Sequence, residues 1–128
     1  MSKRILDVGN CRPDHASVRY LLESMGFAVE QAHLTDEALL RLKSERFDLV
    51  LVNRKLDHDY SDGTELVAGM KADPDLKNVP VMLISNYPDA QQEAVALGAE
   101  YGFGKLELSQ RGTQERILRA LGLKNSAA

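Results

Sequence analysis

Cysteine and long apolar runs are scarce in this sequence, and each scarcity excludes a class of protein. Cys11 is the only cysteine, so an internal disulfide is impossible, and no histidine at a meaningful spacing marks this thiol as a nucleophile. Neither an apolar run of about 18 residues nor a signal-peptide pattern occurs, so no membrane-spanning helix and no secretion are expected. The sequence therefore predicts a cytoplasmic protein.

Positive charge is not in excess either, which bears on the choice of partner. The 128 residues carry a formal net charge of −3 and show no basic stripe, so neither nucleic acid nor an anionic membrane is expected as a direct partner. Hydrophobic residues make up 44% and charged residues 27%, a balance typical of a folded domain. We expect one domain over residues 1–123, followed by a short tail, residues 124–128.

Apolar runs suited to strands alternate with segments whose apolar residues recur at helical spacing. Five such pairs follow one another, an order typical of a parallel sheet covered by helices on both faces. The fold class predicted is therefore α/β, a three-layer, doubly wound sheet of five parallel strands. The predicted strands are residues 4–8, 27–31, 47–52, 79–84 and 99–103; helices are predicted to begin near residues 14, 35, 88 and 113, with another around residues 66–70.

Several residues indicate where the helices begin and end. Asp14 and Thr35 are predicted N-caps, because their side-chain oxygens can accept hydrogen bonds from free amides of the first turn. Gly26 is predicted to end the first helix in the left-handed conformation. Pro88 is predicted to open the fourth helix, with Leu97 on its buried side.

Five positions follow the carboxyl ends of the predicted strands, where parallel α/β sheets bind their ligands. The loops that carry them are expected to meet at one edge of the sheet. These positions are Gly9 and Asn10 after the first strand, Asn53 after the third, Ser85 after the fourth and Lys105 after the fifth.

Four segments of the chain resemble the response-regulator receiver (CheY-like) family in order, spacing and flanking hydrophobic residues. They are RILDVGNCRPDHASVRYLLESMGF, FDLVLVNRKL, DPDLKNVPVMLIS and LGAEYGFGKL, and one short insertion around residues 57–62 separates the second from the third. The resemblance implies a flavodoxin-like (CheY-like) (βα)5 fold for nearly the whole chain.

The resemblance also implies a site where an aspartate accepts a phosphoryl group, an acidic pair helps to hold Mg²⁺, and a hydroxyl and a lysine contact the phosphoryl oxygens. Ser85 and Lys105 match the hydroxyl and the lysine, but Asn53 stands at the acceptor position, and Gly9 and Asn10 replace the acidic pair. An amide is not the carboxylate nucleophile that attacks phosphorus, and its neutral oxygen is a poor ligand for magnesium. We therefore expect a degenerate pocket in a pseudo-receiver, with no catalytic residue, no metal site and no cofactor.

The switch that the family uses is also altered. Gly102 stands where the family has its switch aromatic, and Leu106 follows Lys105 where the family usually has proline. Strand alternation predicts that Tyr101 and Phe103 lie on the face opposite to Gly102. The usual route from phosphorylation to a reshaped output face is therefore not expected here.

Some residues admit two interpretations. Ser85 and Lys105 are either remnants or a small anion-binding site. Asp7 is an acidic residue within an otherwise apolar strand, and alternation places it on the same face as Gly9, where hydrogen bonds within the pocket could satisfy it. The enlarged loop is interpreted as a solvated acidic surface that can pair with Lys105 or Lys55 and thereby occupy the vacant pocket. Its polar residues match no metal-binding motif; they are Asp57, His58, Asp59 and Asp62.

Three functions are compatible with these observations. The first is a receiver domain of two-component (phosphorelay) signal transduction that binds a protein partner without phosphorylation, through the helix from Pro88, the fifth strand and the last helix. Its partner would be a kinase, an output domain, another receiver or a second copy of the chain. The alternatives are a receiver phosphorylated on an unorthodox carboxylate, Asp7 or Asp57, and a small-anion-binding regulatory domain. A cofactor-binding enzyme is disfavoured, because the chain lacks both the dinucleotide-binding and the P-loop patterns.

Overall fold

The computed structural model describes residues 2–123, in which five strands alternate with five α-helices. No helix among these residues is both long and apolar enough to cross a membrane. The predicted tail, residues 124–128, lies outside the described residues. The strands are β1 (Arg4–Val8), β2 (Ala28–Ala32), β3 (Leu49–Asn53), β4 (Val81–Ile84) and β5 (Glu100–Phe103), and the helices are α1 (Arg12–Ser24), α2 (Thr35–Ser44), α3 (Thr64–Ala72), α4 (Pro88–Ala96) and α5 (Arg111–Ala120).

The strands form one parallel sheet in the order β2-β1-β3-β4-β5, with helices on both faces. α1 and α5 cover the face that carries Ile5 and Leu51, whereas α2, α3 and α4 cover the face that carries Leu6 and Val50. The predicted three-layer, doubly wound α/β class is therefore confirmed.

β3 is the central strand, as its apolar sequence predicts. Residues 49–52 are fully buried between the two helical layers, with β1 on one side and β4 on the other. Burial of each such aliphatic side chain stabilises the fold by about 1.5–3 kcal/mol before entropy is counted. The polar Asn53 ends the strand at the sheet edge, so the apolar run itself determines where the candidate site lies.

The predictions for the helix ends were only partly right. Gly26 is left-handed, with φ of +93°, as predicted. Asp14 is not the N-cap of α1, because Pro13 allows the helix to begin earlier and Cys11 takes the cap position. Thr35 is the first residue of α2 rather than its cap; the Glu37 carboxylate instead accepts a hydrogen bond from the His33 amide at 2.7 Å.

Leu97 was also wrongly placed. It follows the last residue of α4 as the C-cap, and 40% of its surface is exposed because the chain already turns away toward the next strand.

A bulge in β5 changes the predicted alternation at the edge of the sheet. Met82 pairs with Glu100 and Ile84 pairs with Phe103, so β5 contains one residue more than β4 between these pairs. Phe103 is fully buried in the layer with α1 and α5, whereas Tyr101 is partly exposed beside α5. The two aromatic residues therefore differ in environment, although simple alternation would make them equivalent.

Candidate functional site

The five predicted site positions all lie at the carboxyl edge of the sheet, but each of them contacts other residues. Within residues 2–123, no hydrogen bond joins two of their side chains; their polar side chains bond instead to neighbouring residues. The chemistry of this edge therefore depends on four local arrangements: the packing at Gly9 and the hydrogen bonds at Asn10, Asn53 and Lys105.

Gly9 is packed against the enlarged loop that follows β3. Its φ is +82°, and a Cβ added there would overlap the Leu56 side chain, which is fully buried. The Gly9 carbonyl also accepts a hydrogen bond from the Asp57 amide at 2.9 Å. Leu56 therefore fills the space beside the position at which the family resemblance predicts a carboxylate.

Asn10 belongs to a buried polar cluster around Asp7. The Asn10 Nδ2 donates to Asp7 Oδ1 and the His15 Nδ1 lies beside Asp7 Oδ2, both at 2.6 Å. The expectation that Asp7 bonds to a pocket residue agrees with these contacts. His15 was not predicted, because nothing in the sequence indicates that a residue on α1 reaches back to β1. The Asn10 Oδ1 is buried with no hydrogen-bond partner among the described residues.

Lys105 is held by a carboxylate from α1. Its Nζ donates to Asp14 Oδ2 at 2.7 Å, and this hydrogen bond from Lys105 is the main cause that lowers the pKa of Asp14 below its ordinary value. The ammonium is thus already neutralised, and an anion bound between Ser85 and Lys105 would compete with Asp14. This pairing disfavours the anion-binding interpretation. Asp14 was missed as a site residue because its position near a helix start suggested a capping role.

Asn53 is engaged by the start of the enlarged loop. Its Nδ2 donates to the Lys55 carbonyl at 2.6 Å, and Lys55 in turn pairs with Asp62 through a 2.8 Å ion pair and a backbone bridge. The loop thus closes on itself, and of the two predicted lysine partners it pairs with Lys55. Its His58 ring stacks on His33 with a centroid separation of 4.2 Å.

These side chains do not fit the magnesium ion that the family resemblance implies. Gly9 provides no ligand atom, and both Asp7 oxygens are already contacted by Asn10 and His15. Asn53 offers only an amide, whose nitrogen is turned toward a backbone carbonyl. Hard divalent cations take carboxylate oxygens and water, and none of Gly9, Asn10 and Asn53 supplies a carboxylate.

A second region at the same end of the molecule is exposed and apolar. We use the name α4–β5–α5 surface for Tyr87 at the start of α4, Tyr101 on β5, Leu106 after β5 and Arg116 on α5. Tyr87 is 65% exposed, Tyr101 46% and Leu106 81%. All four residues line one cavity of about 220 Å³. The Arg116 guanidinium lies 5.5 Å from the centroid of the Tyr101 ring.

Comparison with known proteins shows which family this fold belongs to. A family model described as the response regulator receiver domain matches residues 14–111. This chain belongs to that family. Receiver domains of two-component response regulators interact with kinases and with output domains, and they are in general signalling modules rather than enzymes.

Individual relatives agree with this membership. The chain is 26% identical over 107 residues to a gliding motility regulatory protein of Myxococcus xanthus, covering 82% of this chain and 14% of that protein. It thus spans only a small part of this relative's length.

Solved receiver structures resemble the whole fold. A receiver domain protein of Methanospirillum hungatei is similar with a TM-score of 0.78 and 26% identity, over 95% of each chain. A response regulator of Chloroflexus aurantiacus has a TM-score of 0.80 at 18% identity, covering 95% of this chain and 99% of that one. The chemotaxis response regulator CheY4 of Vibrio cholerae has a TM-score of 0.71 at 23% identity, covering 95% and 98%.

Proposed function

We propose that this receiver domain is a pseudo-receiver, which binds a protein partner without being phosphorylated. The observation that carries the proposal is Asn53 at the end of the central strand, where the family's acceptor aspartate is expected. An amide cannot form the acyl phosphate, and its nitrogen is bonded to the Lys55 carbonyl. The Asp14 carboxylate supplies the charge that balances Lys105, so no phosphoryl group is needed to hold that lysine.

The surface that would bind the partner is the α4–β5–α5 surface. Two exposed tyrosines and an exposed leucine around one arginine combine the residue types that anchor protein interfaces: aromatic rings and a guanidinium. Large apolar side chains exposed together around one cavity are uncommon on a domain that has no partner. A kinase, an output domain, another receiver or a second copy of this chain would each fit this description.

Phosphorylation on another carboxylate is the competing hypothesis, and intact mass separates the two. We expect no mass increase of one phosphoryl group when the protein is incubated with acetyl phosphate and Mg²⁺. The control is a receiver domain that retains the acidic pair and the acceptor aspartate, treated in parallel. A stable increase in mass would contradict the proposal, and peptide mapping would then test Asp7 and Asp57.

A further inference from the structure

The bulge in β5 places the Gly102 amide outside the regular β4–β5 pairing. Met82 pairs with Glu100 and Ile84 pairs with Phe103, so Gly102 lies in the stretch of β5 that contains the extra residue. A buried amide that stays unbonded costs about 1–3 kcal/mol. A side chain from α4 provides the acceptor for this amide.

The carboxamide of Gln91 accepts from this amide and also donates to two backbone carbonyls at the end of β4. Its Nε2 donates to the Leu83 carbonyl at 2.9 Å and to the Ser85 carbonyl at 3.2 Å, and its Oε1 accepts from the Gly102 amide at 2.8 Å. Gln91 lies on α4 and is only 2% exposed. One side chain thus connects α4, the end of β4 and β5 through three hydrogen bonds.

Gly102 makes room for this arrangement. A Cβ at this position would overlap the Leu83 carbonyl and would lie 3.2 Å from Gln91 Oε1. A side chain at residue 102 would therefore require the Leu83 backbone to move and would crowd the Gln91 carboxamide. Where the family resemblance predicts a switch aromatic, this chain has no side chain, and its backbone amide is bonded to α4.

We propose that Gln91 is a positioning residue that holds the α4–β5–α5 surface in one arrangement in the absence of any phosphoryl group. Tyr101 immediately precedes the bridged Gly102, and the Arg116 Nη1 donates to the Gly102 carbonyl at 3.1 Å. The tyrosine and the arginine of that surface are thus both attached to the residue that Gln91 holds. The same carboxamide bonds to Ser85 at the pocket, so it joins the two regions that phosphorylation would otherwise couple. This inference rests on the proposed function, because it explains how the binding surface is presented.

The first test replaces Gln91 with leucine, which keeps a similar volume and removes the hydrogen bonds. In Gln91→Leu we expect the hydrogen-exchange protection of the Gly102 amide to fall at least tenfold relative to that of Val50, whose amide bonds to the Pro80 carbonyl at the sheet centre. Gln92→Leu, on the exposed side of the same helix, is the matched control and should leave the ratio unchanged. Equal loss of protection at Gly102 and Val50 would reduce Gln91 to a stabilising residue and overturn the inference.

The second test uses Gln91→Glu, since a protonated carboxyl group can both donate and accept, whereas a carboxylate can only accept. Burial raises the pKa of such a carboxyl above its ordinary value of about 4.3, so the bridge is expected below that raised pKa and is lost as the pH rises through it. Above that pKa the carboxylate can still accept from the Gly102 amide, but it has no proton to donate to the Leu83 and Ser85 carbonyls and is repelled by them. The melting temperature of Gln91→Glu should therefore lie close to that of wild type near pH 4 and well below it near pH 8. The same difference from wild type at both pH values would contradict the role of the bridge.

The final readout follows Tyr101 itself by NMR. In Gln91→Leu we expect the nuclear Overhauser contacts between the Tyr101 ring and the Arg116 side chain to weaken, with the Gln92→Leu spectrum unchanged. If these contacts persist while the Gly102 amide loses its hydrogen-exchange protection, Gln91 does not position the surface and the inference fails. That outcome leaves the proposed function untouched, because the absence of phosphorylation is measured separately by intact mass.

Discussion

Gly9 determines the shape of the degenerate pocket through its backbone. Its positive φ lets the chain turn sharply after β1, and the absence of a Cβ lets Leu56 pack into the space beside it. Restoring an aspartate at this position would therefore meet both backbone strain and a buried leucine. A single substitution cannot return the acidic pair without moving the loop that follows β3.

Gly9→Ala and Gly26→Ala separate backbone strain from steric overlap. Both glycines have positive φ, but a Cβ at Gly26 meets nothing within 4 Å, whereas one at Gly9 overlaps Leu56. We expect Gly26→Ala to lower the free energy of unfolding by about 1 kcal/mol and Gly9→Ala by about 2–4 kcal/mol. Urea denaturation measures both values.

Leu56→Ala completes the comparison. In the double variant with Gly9→Ala, the two losses should be less than additive by about 1–3 kcal/mol, because the smaller side chain removes the overlap. Strict additivity would show that Leu56 does not occupy the space beside Gly9.

The buried Asp7 is explained by its neighbours. A lone carboxylate inside a strand would cost several kcal/mol, but Asn10 and His15 contact both of its oxygens. An isolated polar residue in an apolar strand is therefore a useful signal that a partner exists, even when the sequence does not show which residue it is.

Among the elements, α1 and the turn after β5 are joined by the ion pair between Asp14 and Lys105. The two residues lie 91 positions apart, and the pair joins the helix that follows the first strand to the turn that follows the last strand. The pair thus connects elements that no backbone hydrogen bond links directly. Asp14 is 39% exposed, so solvent screening limits its contribution to less than about 1 kcal/mol.

The contribution of this pair depends on pH in a defined direction. The pKa of Asp14 is lowered in the folded state, chiefly by the hydrogen bond from Lys105. The stabilisation is therefore fully present above the ordinary aspartate pKa of 3.8 and is lost as the pH falls through the lowered folded-state pKa. We expect Asp14→Asn to be less stable than wild type at pH 7 and to converge with it in acid. Thermal unfolding at a series of pH values measures the difference.

Asp36→Asn is the matched control for this prediction. Asp36 also lies in the first turn of a helix, α2, where a negative charge interacts favourably with the helix dipole, but it forms no ion pair among residues 2–123. Subtracting its effect leaves the part due to Lys105. If both variants lose the same stability at pH 7, the contact with Lys105 contributes nothing beyond the helix dipole.

At the scale of the whole molecule, the pocket and the α4–β5–α5 surface differ in what they expose. At the pocket, Leu56 packs beside Gly9, and Lys105 is paired with Asp14 of the same chain. The α4–β5–α5 surface exposes aromatic rings beside an arginine. Under the proposed function, this distribution suits a domain that binds its partner continuously.

Tyr101→Ala tests that surface. An aromatic anchor at the centre of an interface typically contributes about 2 kcal/mol or more, which corresponds to a loss of affinity of roughly 30-fold. We expect this loss for the partner that the wild-type chain captures from native cytoplasm, measured by titration of the purified pair. Tyr20→Ala, which removes a 79% exposed tyrosine from α1, should bind as wild type does. A stronger effect of Tyr20→Ala than of Tyr101→Ala would assign the interface to α1 instead.

The sequence by itself determined the sheet and its layers. Apolar residues at strand and helix spacing, with a continuous apolar run in β3, are local patterns, and burial follows from them because each face must be covered. The sequence also predicted the edge of the sheet at which the site residues lie, because the carboxyl ends of parallel strands meet at one edge. The assignment of Asn53 to the acceptor position rests on the family resemblance alone and stays a prediction.

Only the tertiary structure decided which side chains meet at that edge. Asp14 bonds to Lys105, His15 to Asp7 and Gln91 to Gly102, and each contact joins separate elements of the fold. Such contacts depend on the register of strands and on where helices begin, and a shift of one residue redirects every side chain beyond it. The bulge in β5 is a shift of this kind: no local sequence pattern predicted it, and it creates the place that Gln91 occupies.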